Sequence, residues 1–460
     1  MKPPFFQIYR RTVLVCSLLA SLTVHAQILS LDEAVSLARE QDAWLQGSRH
    51  AQRAMEDMSV ASGTLPDPKV SLAFANLPTN TWDFDQEPMT QFKVGISQMF
   101  PRGEQRALKR KQLQLRSQVM PFERQERAAQ IQQQVSHLWL ETWKSQATIE
   151  LIERNRYLFE QMSAITQSSY SSALGRTRQQ DLIRAQLELT RIDDRLAQLQ
   201  QQRDTGLASL GQWLGQVEEM QLEEMQVRRP QLQLPSSGPE TRPQIALVAP
   251  TSLLENDVDW QALTPYFLQH PSVRMLEQQI VATATDVDLA RQKYQPEWGL
   301  NASYGYREDD PMGNPRADFF SVGVSFDLPV FTGNRQDREV SAAVAKVESI
   351  KTQKWLRLKA LLAEFEAARA QWLRLGQRHR LYQDTLLPQI HEQAEAALTA
   401  YTNDNGDFAE VMRARIAELN GEIDALAIAV QQQQTVAQLN YLFTAVDSEY
   451  DSAQGETEHE

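Results

Sequence analysis

The chain has 460 residues, 42% of them hydrophobic and 8% aromatic, with a formal net charge of −13. The acidic balance argues against nucleic acid as a partner, and the single cysteine, Cys16, excludes a disulfide framework and cysteine-based metal cages. The length suits two or three ordinary domains, but the abundance of Gln, Leu, Ala, Arg and Glu signals long helices.

Residues 1–26 read as a secretory signal peptide. Lys2, Arg10 and Arg11 form a positive start, Thr12 to Leu22 is a short apolar run, and Val24-His25-Ala26 offers a cleavage site. Lipidation at Cys16 is the alternative, and Val15 stands where that signal needs a small residue. Cleavage after Ala26 leaves 43 basic and 59 acidic residues. No later segment approaches the ~20 apolar residues of a membrane-spanning helix.

In chain order, the pattern then predicts a helix over Leu31 to Gly63 and two alternating strands, at about 69–77 and 91–100. Two long helices follow, at about 102–168 and 177–214. Residues 215–260 are Pro-rich and acidic. A helix over Leu263 to Lys293, strands at about 297–306 and 318–328, and helices at about 334–400 and 408–445 repeat the same grammar. The tail over 447–460 is acidic, poor in apolar residues and expected to be disordered.

The repetition is visible in the residues. Pro68, Leu72, Val94-Gly95, Ser97 and Pro101 recur as Pro296, Leu300, Val322-Gly323, Ser325 and Pro329, at a constant offset of 228. Tyr170 to Gly175 resembles Tyr401 to Gly406 after a small shift. The chain therefore reads as two copies of one unit of roughly 190–200 residues.

Each strand alternates large apolar residues with small or polar ones. Phe320, Val322, Val324, Phe326 and Leu328 face one way, while Ser321, Gly323, Ser325 and Asp327 face the other. Strands of about 9–11 residues span a bilayer when tilted. One face of a water-soluble sandwich is the alternative reading. Four strands cannot close a barrel, for which about eight is the practical minimum. Open edges cannot stand in lipid either. Strands placed in a membrane must therefore be pooled between chains.

Two of the helices carry coiled-coil seams. Leu182, Ala185, Leu189, Ile192, Leu196 and Leu199 form one, and Met412, Ile416, Leu419, Ile423, Leu426 and Val430 the other. Pro121 is expected to kink or divide its helix, and Pro388 likewise in the second copy. Pro68, Pro101, Pro296 and Pro329 bracket the strands at strand–helix junctions, as ordinary strand-end prolines also do.

With these features in order, the chain resembles the TolC family of outer-membrane efflux channels over nearly its whole mature length. The resemblance rests on LSLDEAVSLA from Leu29, LPDPKVSLAFANLP from Leu65, VGISQMFP from Val94 and VGVSFDLPVFTGNR from Val322. The run from Leu387-Pro388 through Tyr401 to Gly406-Asp407-Phe408 adds to it. The LPDPK and ANLP phrases are similar to the CusC- and CzcC-like branch paired with heavy-metal resistance pumps.

The resemblance implies a mainly helical chain with transmembrane β-structure, assembled as a homotrimeric α/β-barrel channel. It implies twelve pooled strands in the outer-membrane lipid of a Gram-negative bacterium and a long periplasmic α-barrel. The implied partners are a periplasmic adaptor and an inner-membrane pump of the RND type. The tips at Leu174, Gly175 and Arg176 and at Asn405 and Gly406 would then face the adaptor. Asp404, Asp407 and Glu410 are the candidate pore gate, although Asn, Asp and Gly are also ordinary turn residues. Residues 215–260 would form part of a belt around the α-barrel, or a linker.

The cargo implied is heavy-metal cations; drug efflux, type I protein secretion and, in a different class, a soluble periplasmic coiled-coil adaptor are the alternatives. No nucleophile elbow, phosphate loop or paired-histidine motif is present in the sequence. No cofactor or tight metal site is expected. His391, Glu392 and Glu395 suit an exposed helical face.

Overall fold

The computed structural model describes residues 27–171, 179–217, 227–228, 232–236, 242–255, 260–403 and 406–444. Residues 1–26, the acidic tail, the first tip and the pair Asp404–Asn405 lie outside these.

Each copy opens with two helices where the sequence pattern suggests one. In the first copy α1 (Leu31–Glu40) gives way to α2 (Ala43–Ser62). Asp42 causes the break: it caps α2 by accepting from Trp44 N at 3.1 Å and pairs with Arg127 at 2.9 Å. In the second copy α7 (Trp260–Gln269) precedes α8 (Pro271–Gln292). His270 before Pro271 is extended, with ψ of 133°, as a residue preceding proline is driven to be.

The strands β1 (Lys69–Ala75), β2 (Gln91–Phe100), β3 (Trp298–Tyr306) and β4 (Phe319–Phe326) form one antiparallel sheet in that order. Val70 faces Ile96, Ser97 faces Asn301, and Leu300 faces Val324. The second strand of copy one thus pairs with the first strand of copy two, and β1 and β4 are left as edges. β1 ends before its predicted limit because Asn76 turns the chain with φ of 56°.

Below the sheet, Pro101-Arg102-Gly103 turns β2 into α3 (Gln105–Ser117). Gly103 takes φ of 42°. Arg102 donates to Gln295 O at 2.9 Å and pairs with Asp327, which accepts from Glu297 N at 2.7 Å. One guanidinium thereby fastens both copies' strand–helix junctions together.

The helix predicted over 102–168 is divided: α3 ends at Ser117, and α4 (Met120–Ser171) carries Pro121 in its first turn, where a missing N–H costs nothing. Copy two has Ser349 at the corresponding place, and α9 (Gln336–Leu381) runs through without a break. Pro388 acts differently. A π-turn over Tyr382–Leu386 joins α9 to α10 (Leu387–Thr402). The extra residue gives a helix that cannot donate at Pro388 somewhere to put its carbonyls. The 52 residues of α4 extend about 78 Å.

The remaining long helices are α5 (Gln179–Leu214), packed on α4, and α11 (Phe408–Leu442), packed on α4, α9 and α10. Ala185, Ile192 and Leu196 from one predicted seam meet Met412, Leu419 and Ile423 from the other in a single apolar cluster. A second cluster joins Trp139, Trp143 and Leu210 to Leu29 and Leu31. A third packs Phe267, Phe365 and Phe443 edge to face.

Residues 242–255 are not a free linker. Ile245 N donates to Gln433 at 2.7 Å and Val248 N to Asn440 at 2.8 Å. The short helix α6 (Thr251–Glu255) receives Arg369 at Leu254 O, at 2.9 Å. This stretch is therefore laid along α11 and α9. Copies one and two also meet along the seam between α3 and α8, where Arg116 at 3.1 Å and Gln112 clamp Asp286.

Candidate functional site

The register places one kind of residue on each side of the sheet. Val70, Leu72, Val94, Ile96, Leu300 and Val324 share a face that none of the described residues covers. Leu72 is 68% exposed and Phe320 72%. Rings cluster toward both ends: Phe74, Phe92, Tyr304, Tyr306 and Phe320 at the loop end, and Phe100, Trp298 and Phe326 at the helix end. Phe92 and Phe100 lie eight steps apart on β2, about 27 Å along the strand. At a tilt of about 40° that is roughly 20 Å of height, close to the apolar band of a membrane barrel.

The opposite face carries Ser71, Ala73, Gly95, Ser97, Asn301, Ser303, Gly323 and Ser325. Its glycines lie close under neighbouring side chains. A Cβ on Gly95 would lie 2.6 Å from Ser71 Oγ, and one on Gly299 equally near Ser325 Oγ. Such a face is crowded and polar, with a strip of small groups that suits water.

At the other end, Asp407 begins α11 and caps it, accepting from Ala409 N at 3.2 Å. Glu410 lies one turn on, exposed. Gly406 fits only as glycine, since a Cβ would lie 2.6 Å from Tyr401 N. Tyr401 packs edge-on against Phe408 at 5.9 Å and closes the hairpin from within. Asp404, Asn405, Leu174, Gly175 and Arg176 lie outside the described residues. Pro68 and Pro296 precede β1 and β3, and Pro101 and Pro329 follow β2 and β4.

Between tip and π-turn, charged groups tie α10 to α11. His391 meets Glu418 at 2.6 Å, and Arg415 meets Glu395 at 2.6 Å and Glu418 at 2.7 Å. The bond to Glu418 raises the His391 pKa, and burial raises that of Glu422. The exposed helical face expected for His391 and Glu395 is therefore exposed but engaged.

His270 belongs to no paired-histidine motif in the sequence. The structure buries it completely. Its Nε2 is 3.1 Å from Tyr441 O, and its Nδ1 faces Ser272 Oγ at 2.8 Å and Glu126 at 3.6 Å. Tyr441 donates to Glu126 at 2.5 Å and accepts from Arg357 at 2.7 Å. Burial holds the imidazole below its ordinary pKa and the phenol above its own. This node fastens α4 to the opening and close of copy two. The Leu-Gln-His-Pro-Ser run, a helix break inside an apolar stretch, was its only signal.

Among the described residues no cluster of three or more His, Cys, Asp or Glu side chains is placed to hold a metal ion, and no helix is long and apolar enough to cross a membrane. Residues 267–443, essentially the second copy, match the family model of outer membrane efflux proteins. No curated protein matches the sequence.

Among solved structures, the chain is similar to CusC, described for conformational changes accompanying folding and transmembrane channel formation. The TM-score is 0.70 at 14% identity, covering 90% of this chain and 92% of that one. It is likewise similar to the outer membrane protein VceC of Vibrio cholerae, with a TM-score of 0.68 at 13% identity over 90% and 96% of the two chains. The CmeC outer membrane channel of Campylobacter jejuni gives a TM-score of 0.68 at 12% identity over 98% and 97%. At such identities the likeness establishes the fold: that of the outer-membrane channels, four strands and long paired helices in two copies.

Proposed function

We propose that the chain is one protomer of a homotrimeric outer-membrane exit duct for tripartite efflux. The observation that supports this most is the sheet. It has one uncovered apolar face with a ring of aromatics at each end, one polar crowded face, and two edges that none of the described residues pairs. Three copies supply twelve strands, enough to close a wall. The long helices continue the wall as a periplasmic conduit. The duct is passive and does no chemistry: a periplasmic adaptor and an RND-type inner-membrane pump deliver and drive the cargo.

The cargo in this reading is heavy-metal cations, for which the LPDPK and ANLP phrases speak. Asp404, Asp407 and Glu410 on three chains would ring the periplasmic mouth with carboxylates, which favour cations. The tips carrying Leu174, Gly175, Arg176, Asn405 and Gly406 would meet the adaptor. Residues 1–26 direct export to the Gram-negative envelope.

The test is reconstitution into a planar bilayer. Purified protein is expected to give cation-preferring pores, and D407N combined with E410Q to lower that preference. Release with periplasmic contents and no conductance would overturn the reading in favour of a soluble adaptor. Deletion followed by a panel of metals, drugs and secreted proteins assigns the cargo.

A further inference from the structure

A cleft of about 140 Å³ lies between α4 and α9, floored by aliphatic residues of α11 and roofed by residues 242–244. Its polar lining comes from Trp143, Arg242, Gln244, His379, Gln432 and Gln433. Trp143 is 2% exposed, and its indole N–H is buried without any protein acceptor. The ring cannot turn to find one, because it is stacked on Trp139 at 6.5 Å, 7° from parallel. Trp139, by contrast, donates to Leu29 O at 3.1 Å. His379 Nδ1 is also buried without a protein partner. Indole N–H groups in protein interiors are nearly always satisfied, so the orphaned one marks a position built for an acceptor.

The rest of the lining agrees in sign. Arg242 brings a guanidinium. The Gln433 side-chain oxygen already accepts from Ile245 N at 2.7 Å, which leaves its amide nitrogen to donate. Among the described residues no carboxylate lines the cleft. Glu141, on the same helix as Trp143, is bonded to Lys144 and to Gln434. Donors and one positive charge thus converge without an opposing anion, the complement of a carboxylate or tetrahedral oxyanion. The volume equals roughly four or five water molecules at about 30 Å³ each, which accommodates such an ion.

We infer that this cleft binds a small oxyanion, a carboxylate, phosphate or sulfate, which bridges Arg242 to Trp143. The site is separate from the gate proposed above and does not depend on it. Its occupant pins the segment around residues 242–244 to the helices it crosses, and so stiffens the middle of the conduit.

The experiment is isothermal titration of the full-length protein in detergent with sodium acetate, sodium phosphate and sodium sulfate, each against sodium chloride of equal ionic strength. Saturable binding of one ion per chain is expected for at least one of the three, and the tightest identifies the source. R242Q and W143F are each expected to weaken it at least tenfold, while R338Q, an exposed arginine elsewhere on α9, leaves it unchanged. Arg242 is itself exposed, so R242Q carries the test should W143F fold poorly. No saturable heat with any of the three, or binding unaltered in R242Q, overturns the proposal and leaves the cleft to water alone.

Discussion

The two open edges make a prediction about how copies meet. Within the chain, β2 pairs with β3 so that Ser97 faces Asn301 and Gln98 faces Leu300. Carrying this register through the 228-residue offset pairs β4 with β1 of the next copy, with Ser325 opposite Ala73 and Phe326 opposite Leu72. The driving force is large. About half the backbone groups of β4, eight residues long, point away from β3. Each left unpaired in hydrocarbon costs several kcal/mol, so an open edge costs on the order of tens. Opposed Cβ atoms in an antiparallel pair lie about 4.5–5.5 Å apart, within reach of a disulfide. The only native cysteine is Cys16, so A73C combined with S325C gives an unambiguous probe. Mild oxidation should produce covalent dimers and trimers on denaturing gels. A73C with S321C, displaced by about 14 Å along the strand, should not cross-link. Equal cross-linking of both pairs, or of the displaced pair alone, would refute the register and the pseudo-symmetry behind it.

Four further outcomes follow from individual contacts. Gly406→Ala forces a Cβ against the Tyr401 backbone and should lower stability by about 1–3 kcal/mol, read as a fall in thermal midpoint and faster proteolysis at the tip. Asp407→Ala removes a helix cap worth about 1 kcal/mol, whereas asparagine caps as well as aspartate, so D407N should keep the parent's stability and D407A lose about that much if capping is its only role. Phe267→Ala empties a site enclosed by Phe365 and Phe443 and should cost about 3–5 kcal/mol in denaturant melts. His391 has a raised pKa because it is hydrogen-bonded to Glu418, so that tie is fully present below the ordinary imidazole value of about 6.5 and is lost as pH rises through the raised one. The gap in melting temperature between the parent and H391Q should therefore be widest near pH 6 and close toward pH 9; a constant gap would show that the charge plays no part.

The strands were legible in the sequence because a pleat has period two and one face had to be apolar throughout. Val94, Ile96, Val322 and Val324 declare their side without help from the rest of the chain. The coiled-coil seams were legible for the same reason, with a different period. What the sequence hid was polar and long-range. Nothing local links Arg102 to Asp327, or His270 to Glu126 and Tyr441, since each bond depends on where a distant helix ends. The helix breaks at Asp42 and His270 were missed because apolar periodicity continues across them. Pro388 was visible as a disturbance, but whether a helix stops, kinks or inserts a π-turn depends on the neighbours holding it. Of the carboxylates singled out near the second tip, Asp404 lies outside the described residues, and Asp407 has a structural task as a helix cap.

The clamp of Arg116 and Gln112 on Asp286 has a counterpart that is not polar at all. The same 228-residue offset turns Gln112, Arg116 and Asp286 into Val340, Val344 and Met58. Met58 is 57% exposed in the single chain and Val344 42%. A joint inside one polypeptide forms at the high effective concentration its own tether supplies, and can spend side chains on fixing alignment. A joint between separate molecules has no tether and draws its strength from surface withdrawn from water. The duplicated halves have thus diverged into a fastener and an adhesive, and changing Met58 to aspartate should discourage strangers from joining while leaving each molecule's own halves in step.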